Sequence, residues 1–130
     1  MSKEAMKQHG AFSWNELTTS DINGAKAFYG ALLGWTFQDT QSGDMTYTVI
    51  KMGDQDVGGI TTPPPDAQGM PPLWGAYLTV DDVDARAAQA KDLGGKVCVP
   101  PQDIPNVGRF AVIQDPQGAT LALITYLAEA

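Results

Sequence analysis

Residues 14–35 read WNELTTSDINGAKAFYGALLGW, and the fold follows from this stretch. Its first part continues the alternating, β-prone run Phe12–Thr18, which predicts a strand. Asp21 then offers a carboxylate that can accept from the unsatisfied N–H groups of a first helical turn. Behind it, Ile22, Ala25, Phe28, Tyr29 and Leu32 keep helical spacing, which predicts a helix to about Leu33 with these residues inward. Gly34 supplies the stop, because glycine enters the left-handed conformation without steric cost.

The same pattern returns 61 residues later: Asp21 falls on Asp82, Ile22 on Val83, Leu32 on Leu93 and Gly34 on Gly95. Leu73–Val80 reads as a strand, and a helix follows to Leu93 with Val83, Ala87 and Ala90 inward. Each helix precedes three short strand candidates. They are Trp35–Asp39, Met45–Met52 and Val57–Thr61 in the first half, and Lys96–Val99, Arg109–Gln114 and Ala119–Tyr126 in the second. Asp115-Pro116-Gln117-Gly118 has the composition of a tight turn.

The expected fold is α+β: two tandem βαβββ modules forming curved antiparallel sheets around a cavity. The expected boundaries are a polar tail 1–10, a first module 11–61, a linker 62–72 and a second module 73–127, within one compact domain. The linker, TPPPDAQGMPP, contains five prolines, which exclude helix there. A second rigid loop is expected at 100–108, PPQDIPNVG.

Composition narrows the function. Fifteen acidic residues against eight basic give a net charge of −7 in 130 residues, which disfavours nucleic acid and anionic membrane as partners. No apolar run approaches the roughly 20 residues of a membrane span, and the start lacks an apolar signal core. A cytoplasmic location is expected. One Cys and one His exclude zinc sites built from several such residues. Cys98, between Val97 and Val99, reads as a small core residue, and His9 as an exposed tail residue. No phosphate-binding loop, dinucleotide fingerprint or nucleophile elbow occurs.

Three motifs, in order, resemble the glyoxalase/bleomycin-resistance/dioxygenase (vicinal oxygen chelate) superfamily. They are the quoted stretch with its FYGALLGW ending, VDDVDARAAQAKDLGGKV at 80–97, and GRFAVIQDPQGATLALI at 108–124. The resemblance spans roughly 11–127 and implies the fold already derived. It also implies small-molecule chemistry of several kinds, since the superfamily holds lyases, isomerases, dioxygenases, thiol transferases and drug-sequestering proteins. Its enzymes place a metal ligand, His or Glu, on the first and last strand of each module. Carried over, those positions are Trp14, Gly59, Gly75 and Ala122, none of which offers a metal donor. The resemblance is therefore to members lacking the metal ligands, and neither metal nor other cofactor is expected.

Strand parity places Trp14, Glu16 and Thr18 on the cavity face, with Val57 and Thr61 beside Gly59, Tyr77 and Thr79 beside Gly75, and Thr120 and Ile124 beside Ala122. Glu16 is a carboxylate in a mostly apolar strand, suited to acid–base work or to anchoring a cationic or hydroxyl-bearing ligand. Its plain alternative is a structural pairing with a buried hydroxyl. Tyr77 occupies the corresponding place in module two, as an assisting group or an amphipathic core residue. Trp14 either stacks on a planar ligand or fills space, whereas Trp74 has the opposite parity and packs under a helix. Arg109 either binds an anionic group or forms a salt bridge to Asp103 or Asp115. Tyr47 has undetermined parity.

The expected function is binding of a small organic molecule without a catalytic metal. The alternatives are a metal-free enzyme using Glu16 with Tyr77, a divalent-metal lyase or dioxygenase, and an interaction module collapsed around Trp14. A homodimer is the expected assembly.

Overall fold

A computed structural model describes residues 7–42, 45–63, 69–104 and 107–127. The chain divides into two compact units, residues 14–75 and residues 1–13 with 76–130. Each holds most of one βαβββ module of an α+β fold. Among the described residues no helix is long and apolar enough to cross a membrane.

In the first module, β1 (Phe12–Thr18) leads into α1 (Ile22–Leu33), followed by β2 (Thr36–Ser42), β3 (Met45–Met52) and β4 (Gln55–Thr61). Asp21 caps the helix by accepting from the Gly24 N–H at 2.9 Å. Gly34 ends it at φ 73°, its N–H reaching the Gly30 carbonyl at 3.0 Å. The strand order is β2-β3-β4-β1. The two hairpin pairs are antiparallel, but β1 and β4 run parallel, so the sheet is mixed and not purely antiparallel as expected. Connectivity forces this. The helical crossover sets β2 parallel to β1, and two reversals return β4 to that direction.

Leu17, Ile50 and Ile60 form the first core, with Ile22, Ala25, Tyr29, Trp35, Phe37 and Val57 packed against it. Phe28 and Leu32, expected inward, are 60% and 63% exposed. Trp74, expected to pack under a helix, is 43% exposed, with its indole N–H donating to the Tyr29 hydroxyl at 3.3 Å.

The second module repeats the plan: β5 (Leu73–Thr79), α2 (Val83–Asp92), β6 (Lys96–Ile104), β7 (Gly108–Gln114) and β8 (Thr120–Tyr126), in the order β5-β8-β7-β6. β5 and β8 are again parallel. Asp82 caps α2 through the Ala85 N–H at 3.1 Å. Val80, Val83, Ala87, Ala111 and Leu123 form its core. Asp115 closes the β7–β8 turn by accepting from the N–H groups of Gln117 and Ala119 at 3.0 and 2.9 Å.

Two expectations fail in β6. The strand continues through Pro100 and Pro101 to Ile104, where a loop was expected. Proline is tolerated because β6 is an edge strand whose outward N–H needs no partner. The register also shifts between Val97 and Val99, and Cys98 is exposed, not a core residue. Of the expected linker, residues 64–68 lie outside the described residues, as do 105 and 106 of the second loop.

Gly10 and Ala11 are tied to the second module. Gly10 donates to the Thr79 carbonyl at 2.7 Å, and Thr79 to that of Ala11 at 2.8 Å. His9 is exposed as expected, yet its Nδ1 accepts from the Asp81 N–H at 3.0 Å.

Candidate functional site

The site is built on the face of the first module's sheet that α1 does not cover. Leu17 turns toward the helix, so the alternation of β1 puts Trp14, Glu16 and Thr18 on the other face. Thr48 and Ile50 are both buried, at 1% exposure, and Ile50 joins the helix-side core. Their neighbours Tyr47 and Val49 therefore share the face of Glu16. Gly59 lies between these strands, paired with Glu16 on one side and Val49 on the other.

The Tyr47 hydroxyl joins the group. It accepts from the Trp14 indole N–H at 2.9 Å and donates to Glu16 Oε2 at 2.8 Å. The direction of this relay is set at its Trp14 end, because an indole nitrogen can only donate. Tyr47 receives there and spends its one proton on the carboxylate. All three side chains are half-buried, so the relay is neither sealed nor fully in water. Chemically it presents a carboxylate as an acceptor beside an aromatic plane.

Gly59 makes this arrangement sterically available. A Cβ built there would overlap the hydroxyl oxygen and Cζ of Tyr47 and lie 2.6 Å from its Cε1. The side-chain space of position 59 is already filled, from the neighbouring strand.

Trp14, Glu16 and Gly59 are thus brought together. Thr18 follows on the same face, paired with Thr61. Val57 is a correction. The β3–β4 register jumps from Gly58 to Asp56 between Ile50 and Lys51, leaving Val57 as the extra residue of a bulge. The bulge turns Val57 to the helix-side core. Tyr47 is the residue that sequence reasoning left open. The signal was the apolar Ile50: a core side chain there fixes Tyr47, three residues away, on the opposite face.

In the second module Tyr77 pairs with Ala122, as Glu16 pairs with Gly59. The Tyr77 ring lies 6.4 Å from that of Phe110. Among the described residues nothing within 4 Å would meet a Cβ at Gly75. Arg109 is held by carboxylates. It donates twice to Asp84, at 2.8 and 3.0 Å, and once to Asp103 at 3.0 Å. Asp103 was an expected partner; Asp84 was not. These contacts raise the guanidinium pKa further, and Arg109 in turn holds the Asp84 carboxyl below its ordinary value. In the first module Asp39 is lowered likewise, chiefly by Lys26 and then by the buried Thr48 hydroxyl. A cavity of about 310 Å³ in the second unit, lined by Thr79, Asp81, Thr125 and Tyr126 among others, contains none of the expected ligand-binding residues.

The residues do not fit a resident metal at the positions the resemblance implies. An indole, two glycines and an alanine supply no donor, and the space at Gly59 is taken by a phenol. Among the described residues no group of three or more His, Cys, Asp or Glu is placed to hold a metal ion.

Comparison with known proteins agrees with this architecture. The family model described as Glyoxalase/Bleomycin resistance protein/Dioxygenase superfamily matches residues 11–123. "Putative glyoxylase CFP32" of Mycobacterium tuberculosis is 44% identical over 120 residues, covering 92% of this chain and 45% of that protein. Anthracycline biosynthesis protein DnrV of Streptomyces peucetius is 32% identical over 129 residues, covering 88% and 46%. The chain thus spans less than half the length of these relatives. Among solved structures, methylmalonyl-CoA epimerase from Mycobacterium tuberculosis superposes with a TM-score of 0.65 at 13% identity, over 98% of this chain and 94% of that one. A hypothetical protein, BH1468 from Bacillus halodurans, superposes with a TM-score of 0.69 at 12% identity, over 95% and 99%. At such identities the likeness is one of fold.

Proposed function

Because the chain belongs to the Glyoxalase/Bleomycin resistance protein/Dioxygenase superfamily, whose fold carries unrelated chemistries, we propose a function from the site itself. The protein binds a small, planar, partly aromatic molecule, without a metal, on the Trp14–Glu16 face of its first module. The observation that carries this reading is the relay from Trp14 through Tyr47 to Glu16 above Gly59. It places a carboxylate acceptor beside an indole plane where the metal-dependent members would need a ligand. A hydroxyl or ammonium group on the ligand would donate to Glu16, and its ring would lie against Trp14. The name of the Streptomyces peucetius relative makes anthracyclines natural members of the test set. Tyr77, Gly75, Ala122 and Arg109 are carried as second-module candidates, each tested by its own variant. A homodimer remains part of the proposal.

The test is calorimetric titration with planar aromatic phenols and amines, anthracyclines included, in excess chelator. At least one should bind, and Glu16→Gln should weaken it about tenfold or more, as expected for losing a charge-assisted hydrogen bond. A panel with no binder, or binding abolished by the chelator, would contradict the reading.

One observation favours a second reading. Glu16 is only half-buried and already linked to a phenol, so it can exchange a proton with a bound molecule. In that case the protein is a metal-free enzyme with Glu16 as general acid or base and Tyr77 assisting. Product formation from a bound compound, lost in Glu16→Gln while binding persists, would separate this from simple binding.

A further inference from the structure

We propose that Tyr47 is the positioning residue of this site, and that Gly59 is its seat. The ligand-affinity part of this inference rests on the binding reading above; the geometric part does not.

Three observations carry it. First, the Tyr47 hydroxyl occupies the space that any side chain at position 59 would need. Gly59 is therefore required by the phenol and not by its own backbone, since its φ is not among the positive values. Second, the seat is firm. Gly59 is buried and paired in register on both sides, with Glu16 and with Val49, so it cannot drop away from the ring. Third, the hydroxyl has a fixed polarity, receiving from Trp14 and giving to Glu16. One oxygen atom thus orients both the aromatic plane and the carboxylate. Removing it takes the same restraint from two side chains at once, although Tyr47 need not touch the ligand.

The position is informative in itself. Where the metal-dependent pattern would send a ligand from the last strand of the module, a hydroxyl from the neighbouring strand stands instead. A side chain at 59 and the Tyr47 hydroxyl in its present place exclude one another.

Tyr47→Phe in the full chain is the test, because it keeps the ring over Gly59 and removes only the oxygen. The first readout needs no ligand: the indole N–H proton resonance of Trp14, assigned with Trp14→Phe. In Tyr47→Phe this resonance should move upfield and exchange faster with solvent, while those of Trp35 and Trp74 stay in place. The second readout is affinity for whichever panel compound binds the wild type, which should fall about tenfold. Gly59→Ala keeps the hydroxyl but evicts it from its seat, and should reproduce the Trp14 shift if Tyr47→Phe does not fold. An unmoved Trp14 resonance in a folded Tyr47→Phe variant overturns the inference. A shifted resonance with no binder for the wild type would sustain the positioning role and overturn the binding reading alone.

Discussion

Tyr47 and Gly59 share one volume: the hydroxyl of the first lies where a side chain on the second would begin. Two residues twelve positions apart are thereby coupled, and their substitutions should not add. Gly59→Ala alone is expected to cost about 1–3 kcal/mol through overpacking. In a Tyr47→Ala background the same change should cost at least about 1 kcal/mol less. Urea denaturation of the four proteins measures the coupling. Additive effects would mean that the ring does not occupy the seat.

Much of this architecture was legible in the sequence, for definable reasons. The limits of β1, the caps Asp21 and Asp82 and the stop at Gly34 follow from local chemistry, and local chemistry decided them. Trp14 and Glu16 were placed on one face because β1 alternates without interruption. What escaped was created by bulges and edges. The bulge at Val57 breaks the parity count through β4. The shift around Cys98 does the same in β6. Pro100 and Pro101 continue a strand because β6 ends the strand order among the described residues, a fact of topology and not of composition. The face of Tyr47 is set locally by the buried Ile50, but its place over Gly59 comes from the pairing of β3 with β4, which no local window contains.

The strand residues beneath α1 and the exposed residues on its outer side should differ sharply in sensitivity. Ile50 and Ile60 are fully buried beneath the helix, at 1% and 0% exposure. Either isoleucine changed to alanine should cost about 2–5 kcal/mol. Phe28→Gln and Leu32→Gln, on the exposed side, should stay within about 0.5 kcal/mol in the isolated chain. Thermal denaturation at low protein concentration compares them. A large loss from Phe28→Gln would show that this side of the helix is covered in solution.

Acid should weaken the fold through specific carboxylates. Asp39, bonded by Lys26 and Thr48, and Asp84, bonded by Arg109, are held below the ordinary value of 3.8. Each binds its proton more weakly folded than unfolded. Their stabilising effect is therefore complete above that ordinary value and is lost as pH falls below it. Urea midpoints followed from about pH 5 to about pH 2.5 should drop less steeply in the double variant Asp39→Asn, Asp84→Asn than in the wild type. Parallel profiles would remove these two groups from the acid response.

Cys98 is exposed on the bulged edge strand β6. A colourimetric thiol reagent should titrate one thiol per chain without denaturant. A thiol that reacts only after unfolding would show that β6 is covered in solution.

The most direct measurement is a native mass spectrum of the full chain with the tightest panel compound, taken before and after chelation. The expected result is a complex of one chain with one compound, unchanged by the chelator and about tenfold weaker in Glu16→Gln. A mass excess of divalent ions that disappears on chelation, taking the compound with it, would contradict metal-free binding at the Trp14–Tyr47–Glu16 relay.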